Sequence, residues 1–314
     1  MATATEPAGA PGVSSAPSRP APVTPSAPSR VAPIAAVFAA LLVVWYLAAI
    51  WLNAPQILER TLGGRSDWTI TQLVGLTWSM ERPVLPAPHQ VAIDLFEAVF
   101  TQSVFSPRSL LFHAAVTSGA TLLGFAMGTV LGVVLAVLIV HSRTLDRGLL
   151  PWIIASQTVP ILAIAPIVIV IMGNLGLSGL LPKALISMYL CFFPITVGMV
   201  QGLRSPGRIE LELMRTYAAT RPQLFWKLRL AASLPYLLPS MRVAISAGLV
   251  GAIVAELPTG AQAGLGARLL TGSYYGNTLQ IWSALIMASL LGLALTGAVT
   301  LAEQVVLSRG RRQR

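Results

Sequence analysis

The sequence predicts an all-α integral membrane protein with six transmembrane helices, and three observations carry that expectation. Of its 314 residues, 55% are hydrophobic and 10% charged, whereas soluble domains carry about 25% charged residues. The apolar residues fall in runs of about twenty, the length at which a helix crosses the hydrocarbon core of a bilayer. The 21 Lys and Arg residues gather on alternate connections between those runs, which is the asymmetry that orients a multi-span chain.

Taken in order, residues 1–33 hold eight prolines among Ala and Ser with no periodic apolar face, the composition of a disordered tail. No charge lies between Arg30 and Glu59, so a retained first span is expected over Ile34–Leu52, with Trp45, Tyr46 and Trp51 as anchors at its outer interface. From Asn53 to Leu110 the apolar pieces are broken by Glu59, Arg60, Arg65, Asp67, Glu81, Arg82, Asp94, Glu97 and Arg108. That stretch reads as an extracytoplasmic loop ending in a surface-lying helix, Pro88–Phe100, with Val91, Leu95 and Val99 on one face.

A second span is expected over Ala115–Val140, where Ala120, Gly124, Gly128 and Gly132 form a row of small residues that lets helix backbones approach closely in lipid. The third, Leu149–Met172, contains Gln157, Thr158, Pro160 and Pro166, so its hydrogen bonding is interrupted near the middle. Asn174, Gly176, Gly179 and Pro182 make a short turn before the fourth span, Ala184–Leu203. A charged elbow follows over Arg204–Pro239: Pro206 and Gly207 break the preceding helix, and Ile209, Leu213 and Tyr217 recur at helical spacing. Thr220 and Pro222 fit the cap and first turn of a second short helix. A fifth span, Leu237–Leu257, leads into a Gly-rich stretch, Pro258–Gln280, expected to be an ordered loop because Leu265, Leu269 and Leu270 need burial. The sixth span is Ile281–Val305, so the membrane domain covers residues 34–308 and a basic tail residues 309–314. Placing both tails, the connection after the second span and the elbow on one side collects fifteen of the 21 basic residues there, so that side is the cytoplasm.

Composition also bounds the chemistry. The net charge of +10 reads as arginines at the membrane surface, not as a nucleic-acid footprint. The only lysines are Lys183 and Lys227, preceded by Pro182 and Trp226, so no phosphate-cradling loop is present. His89, His113 and His141 lack metal-ligand spacing, no Ser has flanking glycines two residues to either side, and the lone Cys191 sits among apolar neighbours. Neither a cofactor nor a metal is expected, and the chain does not read as an enzyme. Glu256, the only charge between Arg242 and Arg268, either lines a polar route or pins the end of the fifth helix to the Gly-rich stretch. Gln157, Thr158 and Asn174 are lining candidates by polarity, or satisfied interhelical hydrogen-bond formers.

The elbow's residue order carries a resemblance. Glu212-Leu-Met-Arg215, Ala218-Ala219, Leu228-Arg-Leu and Leu234-Pro235 resemble the EAA loop of ABC importer permeases. Arg242, Ile253-Val-Ala-Glu256, Gly264-Leu-Gly-Ala and, upstream, Leu85-Pro86-Ala-Pro88, Gly124 to Gly132 and Val159-Pro160 to Pro166 extend the likeness over residues 85–303. They are similar to the branch that handles nitrate, sulfonates and taurine. Three positions depart from the pattern: Leu213-Met214 replaces its Ala pair, Ala218 its Gly, and Ala231 its Pro. At Ala218 a left-handed backbone carries a steric cost, since the residue has a Cβ.

The resemblance implies an ABC importer permease fold whose elbow is the coupling helix. Glu212, Arg215 and Arg221 would make polar contacts at the rim of an ATPase subunit, with Leu213, Met214, Tyr217, Ala218 and Ala219 filling its groove. ATP would be bound by that partner. It further implies a homodimer, a periplasmic or lipid-anchored solute-binding protein, a multi-pass location in the bacterial inner membrane with both termini cytoplasmic, and a small polar solute such as a sulfonate, nitrate or a pyrimidine-like compound. The alternative reading is a secondary transporter driven by an ion gradient, which would want several intramembrane carboxylates.

Overall fold

The computed structural model describes residues 31–60, 68–258 and 261–312, and among these every regular element is a helix. The chain divides into two compact units, residues 1–43 and 44–314. The described part of the first is helical, residues 31–43, and exposes Val37, Phe38 and Leu41. Most of the expected tail lies outside the described residues, as do Arg65 and Asp67; Val31–Pro33 already belong to the first helix, α1 (Val31–Arg60).

The rest follows as α2 (Ile70–Trp78), α3 (Pro88–Phe96) with a π turn over Glu97–Thr101, α4 (Leu110–His141), α5 (Arg143–Ser156), α6 (Ile161–Asn174) and α7 (Leu180–Arg204). Then come α8 (Arg208–Thr216), α9 (Arg221–Gln223) with a π turn over Leu224–Arg229, α10 (Leu230–Ala255), α11 (Leu265–Tyr274) and α12 (Thr278–Arg312). Five helices are long and apolar enough to cross a membrane: Ala32–Arg60, Leu110–His141, Leu180–Arg204, Arg221–Ala255 and Thr278–Val306.

The expected third span is not one rod. α5 and α6 are bent by 99° at a short break, where Pro160 lacks an N–H and disfavours helical dihedrals at Val159. Local turns take over the freed groups: the Thr158 amide donates to Ala155 O and its hydroxyl to the same carbonyl at 2.8 Å. The pair nonetheless carries the chain across. Along α4 the glycines Gly124, Gly128 and Gly132 face Ser187, Cys191 and Ile195 in turn, so α4 and α7 run parallel and the segment joining them must return. The six crossings are therefore α1, α4, the bent α5–α6 pair, α7, α10 and α12.

The small residues set the core. α7 lies between α4 and α10. A Cβ on Gly128 would stand 2.6 Å from that of Cys191, and one on Gly132 2.9 Å from Ile195. On the other side of α7, Gly202 meets Ser233, while Gly248 and Gly251 of α10 meet Cys191 and Ser187. Without a hydrophobic driving force in lipid, this backbone approach is what gives the helices dispersion contact. The expected stripe on α4 therefore does the packing, and α7 and α10 carry matching small residues of their own.

Several expected boundaries move. The helices run past the apolar runs into polar turns, since hydrophobicity marks the lipid depth and not the helix end. The second elbow helix is not short: Arg221 to Ala255 is continuous through a π turn, so the expected start of the fifth span at Leu237 is sixteen residues late. The Gly-rich stretch, apart from the undescribed residues 259–260, holds the helix α11, with Leu265 fully buried. The α3 segment matches its expected face, with Val91 buried and Leu95 and Val99 packed beside Leu110. Trp45 and Tyr46 are part-buried and make contacts within the protein. The Trp45 indole N–H donates to Pro86 O at 3.0 Å and its ring lies against Trp282, while the Tyr46 hydroxyl meets His89 Nδ1 at 3.2 Å. Of the three, only Trp51 stays exposed. Asn53, expected to open a loop, is a fully buried tie within α1: its side chain accepts from Val84 N at 2.7 Å and Leu85 N at 3.2 Å and donates to Leu85 O at 2.8 Å.

Candidate functional site

Two constellations stand at opposite ends of the α4–α7–α10 core. At one end is the elbow. α8 starts after the break at Ser205–Gly207, and its Glu210 carboxylate accepts from the Gly207 amide at 2.7 Å, capping the first turn. It stops in a Schellman motif: Ala219 N donates to Met214 O at 3.0 Å and Ala218 N to Arg215 O at 2.8 Å. Closing that motif needs a left-handed residue, and Ala218 takes it at φ 49°, the one non-glycine residue with positive φ among those described. The corner expected to be tight is tight, and is held against the preference of its own Cβ. The chain then re-enters helix at Thr220, whose amide donates to the Gln223 side chain at 2.9 Å, with Pro222 in the first turn as expected.

Anchorage at the elbow is uneven. Its base is tied down: the Phe225 ring meets His141 of α4 edge-on at 5.2 Å, Gly202 abuts Ser233, and Arg204 pairs with Asp146 of α5 at 2.8 Å. Its tip is free. No residue of α8 is buried and no other element packs closely on it, although it exposes Ile209 at 83%, Leu213 at 54% and Tyr217 at 75%. Glu212, Arg215 and Arg221 are exposed beside them, with Met214 and Ala219 partly covered and Ala218 exposed. A short amphipathic helix held at both feet, its apolar side chains in the open, is a surface built to enter a groove.

At the other end lies a buried polar cluster. Glu256, the residue after α10, is 0% exposed. Its carboxylate accepts from the Thr117 hydroxyl at 2.9 and 3.1 Å and from Gly266 N at 3.0 Å, and it pairs with Lys183 Nζ at 3.4 Å. Lys183 also donates to Ala263 O at 2.6 Å. The Thr117 oxygen accepts in turn from Leu265 N at 2.9 Å. His113 Nδ1 accepts from Gly264 N at 2.9 Å, so its other nitrogen is the donor to Pro107 O at 2.8 Å. The first amides of α11, which have no partner inside the helix, are thus received by side chains of α4 and α10. Gly264 needs its φ of 127°, and a side chain there would overlap the Glu256 carboxylate.

Of the polar lining candidates, Gln157 and Thr158 sit at the α5–α6 bend and Asn174 at the far end of α6; all three are exposed. The 14 residues of α6 hold the two groups about 20 Å apart. Glu256 does not meet any of them. Its partners Lys183 and Thr117, and His113 beside them on Gly264, were not assigned to any site from the sequence. The available signal was Lys183 itself, one of two lysines, at the start of an apolar run.

The chain has relatives. The family described as binding-protein-dependent transport system inner membrane component matches residues 128–312. The formylaminopyrimidine transport permease protein ThiX of Halalkalibacterium halodurans is 32% identical over 235 residues, covering 73% of this chain and 87% of that protein. The riboflavin transport system permease protein RibX of Chloroflexus aurantiacus is 30% identical over 223 residues, 71% of this chain and 79% of that one. The putative aliphatic sulfonates transport permease protein SsuC of Bacillus subtilis is 26% identical over 238 residues, 76% and 82% respectively.

Proposed function

The chain belongs to the family of binding-protein-dependent transport system inner membrane components, the permease subunits of ABC transporters, and from that premise we infer that it imports a small solute by a stroke delivered from outside itself. An ATPase subunit grips α8, and its closure moves the elbow. Because Arg221–Ala255 is continuous helix, a push at the elbow tilts α10 as a lever, and the Arg204–Asp146 pair passes it to α5. One elbow per chain and two ATPase subunits per stroke call for a second permease, most simply a second copy of this one. A solute-binding protein outside the membrane delivers the cargo, which belongs with the small molecules in the relatives' names.

The observation that carries this reading is α8: a capped amphipathic helix, anchored at both ends, with Ile209, Leu213 and Tyr217 exposed and nothing packed on them. The Lys and Arg bias supports a cytoplasmic elbow, both termini on the same side, and a bacterial inner-membrane location. A gradient-driven carrier finds little support, because the carboxylate it would use, Glu256, is enclosed by Lys183, Thr117 and Gly266. Co-expression with the ATPase subunit and purification through a tag on this chain test the reading. Glu212→Ala with Tyr217→Ala should lower ATPase recovery about tenfold while membrane insertion is unchanged; recovery and uptake equal to the parent's would remove the docking assignment.

A further inference from the structure

Beside the buried cluster, α4, α6 and α7 enclose a cavity of about 590 Å³. Val116 and Gly119 of α4, Ile169 and Gly173 of α6, Leu180 of α7 and Ala255 of α10 line it, and the loops before α7 and after α10 complete the wall. The wall is apolar side chain and bare glycine backbone. Ser178 and Gln262 reach the cavity from loops. Among the described residues that line it, Lys183 is the one that carries a charge.

That charge is already answered. Glu256 lies 3.4 Å behind the ammonium, fully buried, and Ala263 O takes a second proton at 2.6 Å. An ammonium has three N–H donors, and two have acceptors among the described residues. Among the described residues, what the cavity meets is therefore a neutral ion pair with one N–H still to donate. A sulfonate or other permanent anion would leave its water for a site with no net positive charge to receive it, which is unfavourable. An uncharged solute with a ring nitrogen or carbonyl would accept a hydrogen bond from the remaining N–H of Lys183, set its faces on Val116, Ile169 and Leu180 where Gly119 and Gly173 leave room, and turn its polar edge to Ser178 and Gln262.

We propose that this cavity is a solute-binding chamber selective for small uncharged heteroaromatic molecules, and that alkanesulfonates are not its cargo. This rests on the permease reading and narrows it.

Saturation-transfer NMR on the purified full-length chain, co-purified with its ATPase subunit, reads binding directly with 4-aminopyrimidine and ethanesulfonate as probes. The proposal expects a 4-aminopyrimidine signal and an ethanesulfonate signal weaker by about tenfold or more. Gly173→Trp puts an indole into the chamber from a position where a Cβ meets nothing within 4 Å, and retention of the ATPase subunit checks that the variant folds. It should abolish the 4-aminopyrimidine signal, while Gly173→Ala keeps it. Ethanesulfonate binding as well as the pyrimidine, pyrimidine binding that survives Gly173→Trp, or binding of neither probe overturns the proposal. Retention of the ATPase subunit in the same preparation reports on the permease reading separately, so the two can fail independently.

Discussion

Replacing Lys183 with Met should cost far more than an ordinary lysine substitution. Lys183 and Glu256 lie 3.4 Å apart with side chains 11% and 0% exposed. At an effective dielectric constant of about 20, two charges at that separation attract by about 5 kcal/mol. Met at 183 fills the stem's volume but leaves Ala263 O without its donor and Glu256 with Thr117 and Gly266 alone. Removing one partner of a buried pair costs about 3–5 kcal/mol, because the other charge stays behind. Glu256→Gln alone strands the ammonium in the same way. The double variant strands no charge: Gln keeps an oxygen for Gly266, and only Ala263 O is left without its donor. Equilibrium unfolding of the four proteins in mixed micelles closes the cycle. The expected coupling is about 3 kcal/mol, so the double variant loses less than the two single losses added together. Single losses that simply add, within about 0.5 kcal/mol, would mean that the two side chains do not hold α7, α10 and α11 together as described.

Three further outcomes follow from particular contacts. Ala218→Gly relieves the left-handed strain at φ 49° and should raise stability by about 0.5–1 kcal/mol in the same assay; a loss would contradict the corner geometry. Gly128→Ala drives a Cβ to 2.6 Å from Cys191 and should destabilise by about 1–3 kcal/mol, whereas Gly148→Ala, where a Cβ meets nothing, should gain up to about 1 kcal/mol. Asn53→Ala strips the Val84 and Leu85 amides of their acceptor and should cost about 2–4 kcal/mol, read as protease sensitivity around residues 80–90.

What the sequence made legible was whatever is written locally. Spans are apolar runs, the α4 stripe is a four-residue period, and the start of the second elbow helix is marked by neighbours in the chain, Thr220 and Pro222. The buried cluster was not legible because its members are far apart in the chain: Thr117 and Lys183 stand 139 and 73 positions from Glu256. Glu256 alone could be read as pore or as pin, and its surroundings decide how it is held. The partners of Trp45 and Tyr46 were hidden for the same reason, since nothing near them in the sequence announces Pro86 and His89 beside them. The helix leading into α10 begins at Arg221 because its charged stretch through Arg229 is helical all the same, and Pro235 and Pro239 are both accommodated within α10.

For the proposed stroke, α8 must reach the cytoplasm and enter an ATPase subunit there. Cys191 is the sole cysteine and is buried, so Tyr217→Cys gives one reactive thiol on an exposed helix. A membrane-impermeant maleimide should label it in inverted vesicles and leave it untouched in intact cells, and co-expressed ATPase subunit should protect it and be captured by a thiol-to-amine cross-linker. Labelling from the outside of intact cells would contradict the account.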